Sequence, residues 1–156
     1  MSFWLMKSEP STYSIDDLVK AKNQSGFWDG VRNYQARNFM RNEMQKGDLA
    51  FFYHSSCKIP GIVGIIEITK PNCVDETAFD PKSKYFDPDS NPQNPRWYGV
   101  EFKLVEKFNP IITLAQLREN PKLNLMQLLR KGNRLSITPV SSVHWSLILQ
   151  YPHTQK

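Results

Sequence analysis

Apolar residues in this chain come in short runs, and the spacing within each run separates strands from helices. Phe3 to Lys7 reads as a first strand, ended by Ser8-Glu9-Pro10. Ser14 stands three residues ahead of Asp17, a variant of the capping box, and predicts a short helix to about Lys20. Asn23 to Gly26 reads as a polar loop. A second helix is expected from about Val31 to Met44, stopping at Gly47-Asp48. Leu49 to His54 is apolar at nearly every position, the pattern of a strand buried on both faces. Ile62 to Thr69 is β-branched, and Gly64 within it marks a bend or a close backbone approach.

Residues 71–96 hold five of the eleven prolines and few aliphatic side chains, which predicts a long irregular loop. Tyr98, Val100, Phe102 and Leu104 alternate with Gly99, Glu101 and Lys103, giving a half-buried strand. Thr113 and Gln116 form a capping box, stapled by Ile112 and Leu117. Asn124 is expected to open a further helix over Leu125 to Lys131, and Leu135 to Val140 to form a last strand. Ser141 or Ser142 then opens a terminal helix carrying Trp145 and Leu149. Short strands with helices at their connections predict an α+β fold, and the strand lengths suit a small closed or nearly closed barrel of five or six strands.

Length and composition narrow the class. A chain of 156 residues fits one domain, here about residues 1–152. No apolar run approaches the roughly 18 residues of a membrane span, and the opening residues lack the pattern of a signal peptide. Cys57 and Cys73 are too few for a disulfide scaffold, so a reducing compartment is expected. The net charge is +5, and beyond residue 97 eight basic side chains meet only three acidic ones. Counterion release makes nucleic acid the first candidate among anionic partners, although a solvated basic surface would carry the same charge.

The chain contains no Gly-x-Ser-x-Gly, Walker or dinucleotide-binding signature and no Cys-x-x-Cys pair. His54 and Cys57 together offer only two ligands, too few for zinc. No catalytic residue, metal or cofactor is therefore assigned. The segment Trp28 to Arg41 is more informative. On a helix, Tyr34, Arg37, Asn38 and Arg41 share one face, while Ala36, Phe39, Met40 and Met44 form the other. Arg32 falls toward the interior and needs an acceptor, either a carboxylate such as Asp29 or Glu9, or a ligand. Asp29-Gly30 leaves free amide donors, and Trp28 is either a core residue or a stacking surface. Tyr53-His54-Ser55 brings a ring, an imidazole and a hydroxyl to a strand end, and Arg134 adds charge before the last strand. Aromatic faces, hydrogen-bonding groups and a cationic rim are what an unstacked base requires.

The stretches Trp4-Leu5-Met6-Lys7-Ser8-Glu9-Pro10, Trp28 through Asn38, Phe51-Phe52-Tyr53-His54-Ser55 and Arg134-Leu135-Ser136 resemble the EVE domain family, and within it the thymocyte nuclear protein group. The resemblance runs from Phe3 to about Leu149. It implies a PUA-like fold, related to YTH and ASCH domains, with a central pocket for modified bases such as 5-methylcytosine and its oxidised forms. By the same resemblance the base pocket comprises Ser8, Glu9, Trp28, Val31, Arg32, Asn33, Tyr53, His54 and Ser55. Arg134 stands on its rim by the same resemblance, and Lys7, Tyr34, Arg37 and Arg41 are expected to complete the rim toward the phosphates. The expected function is a non-enzymatic reader acting as a monomer on nucleic acid, DNA ahead of RNA. An ASCH-like hydrolase of a modified nucleoside, using Glu9, His54 or Lys7, and a YTH-like reader of RNA are the alternatives. Eukaryotic members carry a basic N-terminal extension for the nucleus, whereas this chain begins almost at its first strand, so a cytoplasmic protein with access to the nucleoid is expected.

Overall fold

A computed structural model describes residues 1–154. Six strands form one mixed sheet: β1 (Phe3–Ser8), β2 (Ser25–Trp28), β3 (Leu49–His54), β4 (Gly61–Val74), β5 (Tyr98–Thr113) and β6 (Ile137–Val140). Their order is β2-β5-β4-β3-β1-β6, with β1 and β3 parallel and the other pairs antiparallel. Four short helices flank the sheet: α1 (Ile15–Lys20), α2 (Tyr34–Asn38), α3 (Leu114–Glu119) and α4 (Ser142–Leu149). The α+β class is as expected, but the barrel does not close. β2 and β6 remain unpaired edges of four residues each, and Pro139 in β6 has no N–H to give a further strand.

Alternation along the strands builds two cores. Trp4, Met6, Ala50 and Phe52 point into one, with Trp28, Val100 and Phe102. Leu5, Phe51 and Tyr53 point into the other, under Leu117, Trp145 and Ile148 of α3 and α4. There Trp145 lies between Phe51 and Phe3, with centroids 3.9 and 4.4 Å away. β3 is thus buried on both faces, as its unbroken apolar run predicts.

Gly64 performs the bend. Ile62 faces the second core but Ile66 and Ile68 face the first, so the side-chain alternation flips between them. The register between β4 and β5 shifts at Ile62/Gly64, and a Cβ on Gly64 would sit 2.5 Å from the Glu106 carbonyl oxygen. Only glycine admits that approach, and the extra residue curls the sheet.

Several elements differ from expectation. β2 occupies residues read as loop and helix entry; its Ser-Gly composition hides it, and its pairing with Val100–Lys103 of β5 creates it. The second helix begins only at Tyr34, capped by the Asn33 side chain, and passes into a π-turn over Phe39–Glu43. Residues 121–129 form two 3-10 turns rather than a helix, and Asn120, not Asn124, supplies the first cap. β4 continues to Val74, so the long loop starts at Asp75.

Candidate nucleic-acid interface

The gap between the unpaired edges is a cavity of about 690 Å³. Lys7, Ser8 and Glu9 at the end of β1 line one side, together with Ser136 just before β6. Phe27, Trp28 and the segment Asp29 to Arg32 line the other, with Lys84 and Tyr85 from the long loop. Trp28 is buried to 8 % exposure, edge-on to Phe52 and Phe102 at 5.4 Å each, yet it reaches the cavity wall. Both readings of this residue therefore describe its position: it belongs to the core and to the pocket lining.

Arg32 lies ahead of α2 rather than on it, and its acceptor is neither Asp29 nor Glu9. Its Nη1 pairs with Asp75 Oδ2 at 3.0 Å, while Nε and Nη2 donate to the Tyr85 carbonyl at 3.2 and 2.6 Å. Asp75 is fully buried and also accepts from Gly30 N at 2.8 Å and from Thr77 N and Oγ1. This carboxylate fastens the Trp28–Arg32 segment to the long loop and so presents Tyr85 to the cavity. Gly30 adopts φ +76°, and a Cβ there would meet the Tyr85 ring at 2.5 Å. Across the mouth, Lys84 Nζ reaches Thr12 Oγ1 at 3.4 Å.

The third wall is therefore the Lys84–Tyr85 loop, not the Tyr53-His54-Ser55 edge. Tyr53 alternates onto the second core, where burial pushes its phenol up to about 12. His54 Nε2 accepts from Ile15 N at 3.1 Å and supports the start of α1; burial lowers its pKa. Ser55 N bonds back to the Ser8 carbonyl. Asn33 is committed to capping α2 through Ala36 N. None of these four lines the cavity, and Arg134 is exposed outside the lining, two residues before Ser136.

Beside the cavity runs a band of stacked cations and rings. The Arg32 guanidinium lies 5.2 Å from the Trp97 ring, Trp97 stacks on Tyr34 at 5.1 Å, and Arg37 covers Tyr34 at 4.7 Å. Arg41 lies 5.5 Å from the Tyr98 ring. Arg37 and Arg41 share Asn38 Oδ1 and, among the described residues, neither pairs with a carboxylate. Tyr85, Lys84 and Asp75 were not legible as parts of a site: each lies in a stretch whose composition signals only an irregular loop.

A curled, open mixed sheet with helices at its ends is the PUA-like architecture. An ASCH structure from Zymomonas mobilis shares it at a TM-score of 0.55 and 12% identity, over 96% of this chain and 94% of that one, a likeness of fold alone. The profile of the EVE domain matches residues 2–151, and the chain belongs to that family. It is 42% identical to Thymocyte nuclear protein 1 of Danio rerio, over 95% of this chain and 71% of the relative. The crystal structure of human THYN1 protein in complex with 5-methylcytosine containing DNA aligns at a TM-score of 0.92 and 38% identity, over 100% of both chains.

Proposed function

We propose that this protein is a non-enzymatic reader that receives an extruded modified pyrimidine, 5-methylcytosine or an oxidised form, in the cavity between β2 and the β1–β6 edge. The observation that carries the reading is the cavity itself: about 690 Å³ lies within the range of ligand sites, and one wall is aromatic. Trp28 supplies that wall, Ser8 and Glu9 border the base, and Arg37 and Arg41 take the flanking phosphates. The human relative solved with methylated DNA supports the choice of DNA and of base.

Binding is favoured over hydrolysis because the acid–base candidates do not converge. Lys7 and Glu9 line the cavity, but the His54 ring nitrogen is occupied by Ile15 N–H. The free thiols of Cys57 and Cys73 fit a reducing, cytoplasmic setting, where a single copy of the domain would act on DNA. The test is an affinity comparison on oligonucleotides that differ only in one 5-methyl group. Tighter binding of the methylated strand, lost in Trp28→Ala, supports the reading; equal affinities for both strands overturn it.

A further inference from the structure

Lys7, Glu9 and Asp29 line the cavity without an ion pair among the described residues, and the chemistry of Lys7 and Asp29 bears on which face of a base it reads. This inference rests on the base-pocket reading above. Among the cations lining the cavity, Arg32 is committed to Asp75 and Tyr85, and Lys84 reaches Thr12. The Lys7 ammonium has no hydrogen bond or ion pair among the described residues, and burial lowers its pKa. The Asp29 carboxyl forms no ion pair either and meets only its own backbone N–H. Desolvation, then the nearby Asp75, push it up against the opposing pull of Arg32 and Lys84.

Lys7 and Asp29 line the same cavity without bridging each other. A ligand that satisfies both must offer an acceptor to the ammonium and a donor to the carboxylate. Asp29 is solvent-exposed, but its backbone is well fixed between Trp28, held in the core, and Gly30, whose N–H is anchored on Asp75. The pyrimidine edge is decisive here. 5-Methylcytosine and thymine share the 5-methyl group and O2; N3 carries a hydrogen only in thymine, and the exocyclic group differs at position 4. There cytosine presents amino donors and thymine a carbonyl acceptor.

We propose that Asp29 reads the exocyclic 4-amino group of the bound base, with Lys7 donating to O2, so that the pocket accepts 5-methylcytosine and rejects thymine, its deamination product. Lys7 serves an oxygen common to both bases and sets the register. Asp29 accepts from the amine and repels a carbonyl in its place.

The test measures affinity for single-stranded oligonucleotides identical except for one position, occupied by 5-methylcytosine or thymine. The native protein is expected to prefer 5-methylcytosine by about fivefold or more, the low end for one specific base contact. Asp29→Asn, whose amide can also donate, is expected to remove most of that preference with the domain still folded by circular dichroism. Lys7→Met is expected to weaken both complexes alike. An Asp29→Asn protein that keeps the native ratio overturns the assignment. So does a native protein that separates 5-methylcytosine from cytosine but not from thymine, which leaves the reader function standing. A native protein that binds neither strand overturns the reader function and this assignment together.

Discussion

Asp48 and Asp75 are both buried carboxylates, but they serve different parts of the molecule. Asp48 accepts from the Trp4 indole at 3.0 Å and from the backbone N–H groups of Ser2 and Gln45. All its partners belong to the packed core or its rim, so it closes a surface. Asp75 instead ties Gly30 and Arg32 of one segment to the start of the long loop, where Thr77 also donates to it, and the result is one wall of a cavity. One carboxylate is satisfied by donors of a finished core; the other fastens together two segments of a cavity wall. Stability and binding should therefore separate at these two positions.

Replacing Asp75 by Ala leaves the Arg32 guanidinium without its acid and is expected to cost about 3–5 kcal/mol, the range for breaking a buried pair. Urea unfolding should record that loss, and the protein that remains folded should bind methylated DNA poorly. Asp48→Ala strands buried donors and should cost about 3 kcal/mol. Its folded fraction should bind normally, and equal binding defects in the two variants would undo the comparison. Gly30→Ala places a Cβ against the Tyr85 ring at positive φ, a strain of about 1–3 kcal/mol. It should also displace Tyr85 and narrow the cavity, so binding should fall more than stability does.

Smaller effects are expected at the surface. Arg37→Gln with Arg41→Gln should leave the melting temperature nearly unchanged while reducing the dependence of log K on log salt by about 2. Affinity should drop alike for modified and unmodified strands. The smallest effect concerns His54. Its folded pKa lies below the unfolded value of about 6.5, so the folded state binds fewer protons. Stability should therefore be unaffected well above that pH and should decline as pH falls through it. In His54→Gln this part of the acid sensitivity should disappear, as read from thermal melts between neutral and mildly acidic pH.

The contrast also explains what could be read from the chain. Capping boxes at Ser14 and Thr113 are local, three-residue statements, and both helices start where the sequence places them. The unbroken apolar run of β3 and the glycine bend at Gly64 are likewise carried by neighbouring residues. Trp28 to Arg32 could be picked out because it carries concentrated polar and aromatic chemistry, whereas Ser8 and Glu9 read by themselves only as the end of a strand and are pocket candidates through the family resemblance. The partner of Arg32 could not. Asp75 is 43 residues away, and nothing in its Val-Asp-Glu surroundings marks it as buried. The Tyr53-His54-Ser55 group misleads for a related reason. Its polar atoms suggest a site, but strand alternation turns Tyr53 into the second core and the α1 amide takes His54. β2 escaped notice because an edge strand of Ser, Gly, Phe and Trp is defined by its neighbour rather than by its own pattern.

Nuclear magnetic resonance of the labelled protein, titrated with an oligonucleotide bearing one 5-methylcytosine, addresses the cavity most directly. Insertion of the base should shift the signals of the Trp28 indole, Gly30 N–H and Tyr85 together with those of the Arg37–Arg41 band. Shifts confined to that outer band, with Trp28 and Gly30 unmoved at saturation, would mean that the nucleic acid only skirts the surface and that no base enters between the sheet edges.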